Sequence, residues 1–283
     1  MKSIIMALMG ASLALFGPLA SARAAAPINP QADLKAFQGY FLKRFPNVPL
    51  AAYVNGPYNF SKSEADQWKQ IMEFPPYQFA LDTGKSLFNA KFPNGKDYAS
   101  CFPNGGIGIA QNYPMFDAKT GRVVTLGIAV NRCRVANGLK KLKLTTGPMA
   151  DILAYMTSTS DGKKINVVVP NNPKALAAYQ AGKEYFYSRR GQLNFSCASC
   201  HVQEAGMHLR GNVLAPALGM TASFPLYRSK WGNMGTLVRR FIGCNKKVHS
   251  APAKPDSAAY RDLAYFLTYM DNGLPVSGPG ARP

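Results

Sequence analysis

Apolar positions recur at helical rather than strand spacing over most of the chain. Between Asp262 and Tyr269, Leu263, Phe266 and Leu267 form an i, i+3, i+4 stripe that predicts an amphipathic helix. Pro173 to Tyr187 carries Leu176, Ala177, Tyr179, Phe186 and Tyr187 at an imperfect helical period, with Pro173 suited to a first turn. Strand signal is sparse. Ile165 to Val169 is a short β-branched run that ends in Pro170-Asn171-Asn172-Pro173, and it reads as a connector between two units. The tail from Ser277 to Pro283, with two prolines and two glycines, is expected to be unpacked. At the other end, Lys2 precedes an apolar run from Ile4 to Leu19, broken by Gly10 and Pro18, that closes on Ala22-Arg23-Ala24. That is the pattern of a secretory signal peptide over residues 1–24, and it implies a periplasmic protein. No later segment reaches about 18 uninterrupted apolar residues, so no membrane span is expected.

Several landmarks occur twice in the same order. Gly84-Lys85-Ser86-Leu87-Phe88 is followed by Ser100-Cys101, and Gly182-Lys183-Glu184-Tyr185-Phe186 is followed by Ser196-Cys197, each G-K-x-x-F reading as a helix start. Cys133 lies 111 residues before Cys244, and Leu153-Ala154-Tyr155 lies 110 before Leu263-Ala264-Tyr265. Repetition of this kind predicts a mainly α fold of two related cytochrome-c-like domains from an internal duplication, over 25–165 and 166–283.

Charge and cysteines then narrow the chemistry. With 33 Lys+Arg against 14 Asp+Glu the formal charge is +19, which points to an acidic partner or an anionic substrate. The lysines are dispersed and the chain is expected to be exported, so nucleic acid is not the expected partner. Five cysteines are an odd number, so disulfides alone would leave one thiol over.

Cys197-Ala198-Ser199-Cys200-His201 matches C-x-x-C-H, the attachment pattern of c-type haem. Two thiols three residues apart can reach both vinyl groups of one porphyrin, and the adjacent histidine then lies beneath the iron. A redox C-x-x-C would want a βαβ neighbourhood, and a zinc site would want two more ligands close by; neither is present. In the first half, Asn104 and Gly105 stand where the second half has Cys200 and His201, so the first domain is expected to be haemless and the chain to carry one haem c. Cys101 and Cys133 remain as two thiols in an oxidising compartment, and a disulfide between them is the economical reading. Cys244, within Arg239-Arg240-Phe241-Ile242-Gly243-Cys244-Asn245-Lys246-Lys247, is either a buried thiol or the iron's sixth ligand. Met207, Met220, Met234 and Met270 compete for that place on spacing alone, while His208 and His249 read as surface residues.

Four ordered strings carry a resemblance to a known family: Tyr187-Ser188-Arg189-Arg190-Gly191-Gln192-Leu193-Asn194, Phe224-Pro225-Leu226-Tyr227-Arg228, Arg239 through Asn245, and Gly273-Leu274-Pro275. Over nearly all of the expected mature chain the sequence resembles SoxA, the cytochrome subunit of the SoxAX L-cysteine S-thiosulfotransferase. The resemblance implies that Cys244 ligates the haem iron and bears an extra sulfur as a persulfide. It also implies that Arg240 faces thiosulfate, and that Cys197, Cys200 and His201 hold the haem. The partners it implies are SoxX, a small monohaem cytochrome c that takes the electrons, and SoxYZ, the carrier whose cysteine receives the thiosulfate. The Cys101-Phe102-Pro103-Asn104-Gly105 string is similar to that of one-haem members. Two rival functions are a plain electron-transfer cytochrome c and a thiosulfate dehydrogenase that forms tetrathionate.

Overall fold

The computed structural model describes residues 27–283, so the signal peptide expected over 1–24 lies outside the described residues. The described chain is mainly helical. Its helices are α1 Pro30–Arg44, α2 Lys62–Glu73, α3 Gln78–Asn89, α4 Leu126–Ala136, α5 Pro148–Ser158, α6 Pro173–Tyr187, α7 Leu237–Lys247 and α8 Ala258–Met270. Among the described residues none of them is long and apolar enough to cross a membrane. The strands are short. β1 Met115–Asp117 and β2 Arg122–Val124 form one hairpin, and β3 His208–Leu209 and β4 Asn212–Val213 form another. β5 Leu226–Arg228 pairs antiparallel with β6 Asn233–Gly235 and parallel with β7 Gly280–Arg282.

Helix α6 begins at Pro173 because Asn172 caps it, its side chain accepting from Lys174 N at 2.9 Å and Ala175 N at 3.3 Å. The α8 stripe is buried along its length, with Leu263, Phe266 and Leu267 each at most 2% exposed. Residues Ile165–Val169 make no strand; they run extended from α5 to α6.

Two helix pairs organise the core, α3 against α5 and α6 against α8. Both pairs close on a glycine. A Cβ added at Gly84 would lie 1.9 Å from the Asp151 carbonyl oxygen, and one added at Gly182 would lie 2.0 Å from that of Asp262. This corrects the expectation that the G-K-x-x-F segments start helices. They sit inside α3 and α6, because the bare glycine backbone is needed where the helices cross. Each pair is preceded or joined by the same local sequence of elements. Hairpin β1–β2 leads through the N-cap Thr125 into α4, and hairpin β5–β6 leads through the N-cap Thr236 into α7; both helices have 11 residues.

One buried cluster gathers Phe88, Phe92, Tyr98, Phe102, Val130, Ile152 and Met156, with Cys101 and Cys133 joined by a disulfide at its edge. A larger cluster gathers Tyr179, Phe186, Phe241, Tyr260, Tyr265 and Phe266, and α1 adds Phe37 and Phe41 to it. Lys183 on α6 holds α1 through Asp33, at 2.7 Å to both carboxylate oxygens.

The tail is a second correction. Residues 277–283 are packed, not loose: Gly280 N donates to Ser223 O at 3.0 Å and β7 lies in register with β5, Arg282 opposite Arg228. Glycine makes this approach possible, since a Cβ on Gly278 would meet Phe224 O at 2.8 Å.

Candidate functional site

The Cys197–His201 segment is fixed by its own serines. Ser196 N donates to Ser199 Oγ at 3.1 Å and Ser199 N donates to Ser196 Oγ at 3.0 Å, a reciprocal cap that turns the chain into a π-helical turn over Ser199–Gln203. The far end of that turn is tied to α1. The Arg44 guanidinium donates to the carbonyls of Val202, of Gln203 at 2.9 Å and of Ala205 at 3.1 Å. His201 is oriented from its other side, Nδ1 lying 2.8 Å from the Ala215 carbonyl. A carbonyl only accepts, so Nδ1 carries the proton and Nε2 is left to face the site.

Helix α7 brings the remaining groups. Thr236 caps it, accepting from Arg239 N at 3.4 Å. Asn245 then locks it in place: buried, it donates to Phe241 O at 2.9 Å and to Tyr260 Oη at 3.2 Å, and accepts from Tyr185 Oη at 3.1 Å. With Phe241 and Asn245 turned into the core, Arg240, Cys244 and Lys247 fall at i, i+4 and i+7 on the opposite face. They meet His201 there.

The electrostatics follow from this arrangement. Burial opposes ionisation of the Cys244 thiol, but the Arg240 charge, the adjacent His201 imidazole and Lys247 outweigh it and bring the thiol down to about 6. Cys197 and Cys200 go the other way. Burial pushes Cys197 up to about 11 and raises Cys200, in each case with a further push from Cys244. One thiol is therefore prepared as an anion and two are kept protonated.

Beside these groups lies a cavity of about 280 Å³, lined among others by Tyr58, His201, Met220, Arg228, Arg240, Lys247 and Arg282. The residues fit a c-type haem. Two thiols on one turn, a histidine with Nε2 free and a thiol facing that histidine are a donor set that such a group can use. Of the methionines that compete with Cys244 on spacing, Met220 lines the cavity, Met207 is exposed, and Met234 and Met270 are buried in packing clusters. His249 is an exposed residue; His208 is exposed at the cavity mouth. Arg239 lies apart, over the Trp231 ring at 4.3 Å with its Nη1 3.4 Å from Thr146 Oγ1.

Sequence reasoning missed Lys247, Arg228, Arg282 and Asn245. Periodicity could have found Lys247, seven residues after Arg240. The others depend on chain segments far apart in sequence.

A family model described as SoxA/TsdA, cytochrome c domain, matches residues 83–165. The chain is 47% identical over 285 residues to the L-cysteine S-thiosulfotransferase subunit SoxA of Chlorobaculum tepidum, with 99% of each chain covered. To the subunit of the same name from Allochromatium vinosum it is 48% identical over 276 residues, 97% of this chain and 95% of that one. Among solved structures it is similar to the crystal structure of SoxXA from P. pantotrophus, with a TM-score of 0.70 and 31% identity over 77% of this chain and 84% of that chain.

Proposed function

The chain belongs to the SoxA family, and from that premise we propose that it is the catalytic cytochrome subunit of an L-cysteine S-thiosulfotransferase acting on thiosulfate. The observation that carries the reading is the meeting of Cys244 and Arg240, from one face of α7, with His201 at the end of the C-x-x-C-H turn. Thiosulfate is a dianion. The Arg240 guanidinium suits its sulfonate oxygens, binding them with paired charge-assisted hydrogen bonds that a lysine cannot reproduce. Cys244, readily ionised beside Arg240, His201 and Lys247, holds the reacting sulfur as a persulfide while the anion is oriented against it.

The reaction joins thiosulfate to the thiol of a carrier cysteine. A sulfur–sulfur bond forms, the thiol proton leaves and two electrons are released. Cys197 and Cys200 would hold a haem c through thioethers, His201 and Cys244 would ligate its iron, and the group would supply the route by which electrons leave. The electron acceptor is a SoxX-type monohaem cytochrome c, a reading supported by the likeness to SoxXA. The carrier is of the SoxYZ type, and the basic surface favours approach of an acidic protein.

One haem per chain is the reading for the cofactor. In the first half, Asn104 and Gly105 occupy the place of Cys200 and His201 and adopt left-handed backbone angles, φ 51° and 60°. Phe88 closes on the next residue, where a Cβ on Gly106 would stand 2.7 Å from its Cζ, and it stacks on Tyr98 with 5.7 Å between centroids. We read 25–165 and 166–283 as two copies of one ancestral cytochrome c domain, supported by the two glycine-closed helix pairs and the two hairpin–helix units. The first copy keeps a disulfide where the second has its ligand, Cys133 matching Cys244 in position on α4 and α7. The signal peptide and periplasmic location remain part of this proposal and suit a covalently attached haem.

The test is Cys244→Ala in the complex. Thiosulfate-dependent turnover with the carrier should be abolished and the thiolate-type low-spin spectrum lost, while a pyridine haemochrome assay still counts one haem. Arg240→Lys should lower turnover, and Arg240→Ala should lower it further, by roughly 2–3 kcal/mol in transition-state terms. Turnover at the wild-type level in Cys244→Ala would overturn the reading and return the chain to the electron carriers.

A further inference from the structure

Arg240 is not the only guanidinium at the cavity. β5 and β7 lie parallel with Arg228 directly opposite Arg282, so both side chains leave the same face of the sheet toward the cavity that Arg240 also lines. Like charges paired across strands oppose folding, and here a third adds to them. Among the described residues the only side-chain carboxylate lining the cavity is Glu64, and its Oε1 is already taken by Val213 N at 2.6 Å. No ion pair among the described residues involves Arg228, Arg240 or Arg282. The faces of two of them are covered, Arg228 over Trp231 at 5.5 Å and Arg282 over Tyr58 at 5.7 Å. That leaves their N–H edges to seek acceptors, and Arg228 Nε is buried with no hydrogen-bond partner. The chain also makes room for this arrangement. A Cβ on Gly56 would stand 2.6 Å from Arg282 Nη2, so the guanidinium occupies space that only a glycine leaves.

We propose that Arg228 and Arg282 form a second oxyanion-binding pair beside Arg240, its acceptor being the sulfonate of thiosulfate or the carboxylate of a haem propionate. Both ligands present oxygens that a planar fork of N–H groups binds in pairs. Burial and the neighbouring Arg240 and Arg282 charges draw the Arg228 guanidinium down to about 10. The C-terminal strand is thereby part of the site, since it is β7 that delivers Arg282. The inference rests on reading the cavity as the thiosulfate site.

The experiment uses the holo complex with Arg228→Gln, Arg282→Gln and Arg282→Lys, and with Lys246→Gln as the control. Lys246 is exposed on α7, outside the cavity, and its loss removes one positive charge. If the pair binds the sulfonate, KM for thiosulfate rises about tenfold in each Gln variant, with kcat within about twofold and the haem reduction potential unchanged. If it binds a propionate, the potential and its pH dependence move while KM does not. Either outcome supports the pair, and Arg282→Lys should fall between wild type and Arg282→Gln because it keeps the charge and loses the fork. The inference is overturned if KM and potential both stay at wild-type values in the Gln variants, or if Lys246→Gln moves them equally. Haem content and thermal melting of each variant establish that it is folded; should Arg282→Gln fold poorly, Arg228→Gln and Arg282→Lys decide between the same outcomes. Failure of the thiosulfate reading itself would show in the wild-type complex, as absent turnover, and the potential arm would still decide the pair.

Discussion

Replacing Gly182 by alanine adds one methyl group to α6 where it crosses α8. The new Cβ would lie 2.0 Å from Asp262 O, 2.5 Å from Asp262 C and 2.9 Å from Phe266 Cβ. Two of those atoms are backbone, so no side chain can swing aside and the helices must part by about 1 Å. The interface that opens is aromatic: Phe266 meets Tyr179 at 5.5 Å and Phe186 at 5.6 Å between ring centroids, and all three are at most 1% exposed. Overpacking of this kind costs about 1–3 kcal/mol, with roughly 0.5–1.5 kcal/mol more for each aromatic pair loosened. Alanine's better helix propensity returns about 1 kcal/mol. The net expectation is a loss of about 3 kcal/mol. Gly39 on α1 is the control, because a Cβ there meets nothing within 4 Å; Gly39→Ala should stabilise by about 0.5–1 kcal/mol. Denaturant unfolding followed by far-ultraviolet circular dichroism at constant haem content measures both. An unfolding midpoint for Gly182→Ala at or above wild type would refute the crossing argument, as would destabilisation by Gly39→Ala.

Breaking the Cys101–Cys133 link by Cys101→Ala with Cys133→Ala should cost about 3–4 kcal/mol, given a sequence separation of 32, measured by unfolding of oxidised protein. Asp117 is held down at about 2 by the Thr120 hydroxyl and the Arg132 guanidinium, below its usual range. Its contribution is therefore full above about pH 5 and lost as the pH falls toward 2, so Asp117→Asn should flatten that acid loss by about 1–2 kcal/mol after allowance for solvent screening. Parallel pH slopes for the two proteins would contradict the ion pair. Asn245→Ala should cost about 1–3 kcal/mol by removing the acceptor of the part-buried Tyr185 hydroxyl and one of the two donors to Tyr260 Oη, as read by denaturant unfolding.

What the sequence determined by itself was whatever neighbouring residues could state. Asn172-Pro173 marks the start of α6 because cap and first turn are adjacent in the chain, and C-x-x-C-H specifies its chemistry within five positions. The paired landmarks, on which the two-copy reading rests, are legible for the same reason: each is a short string. What tertiary structure decided was everything that required a partner from another segment. Ser277–Pro283 has the composition of a loose end, yet Gly278 and Gly280 let it lie against Ser223 and Phe224, and pairing with β5 makes it a strand. The glycines of G-K-x-x-F read as helix starts because glycine is a poor helix former. Only the crossing helix, with its carbonyl where a Cβ would stand, shows why they sit mid-helix. Arg228 and Arg282 are 54 residues apart and become neighbours through a parallel register, a long-range pairing that no local preference encodes.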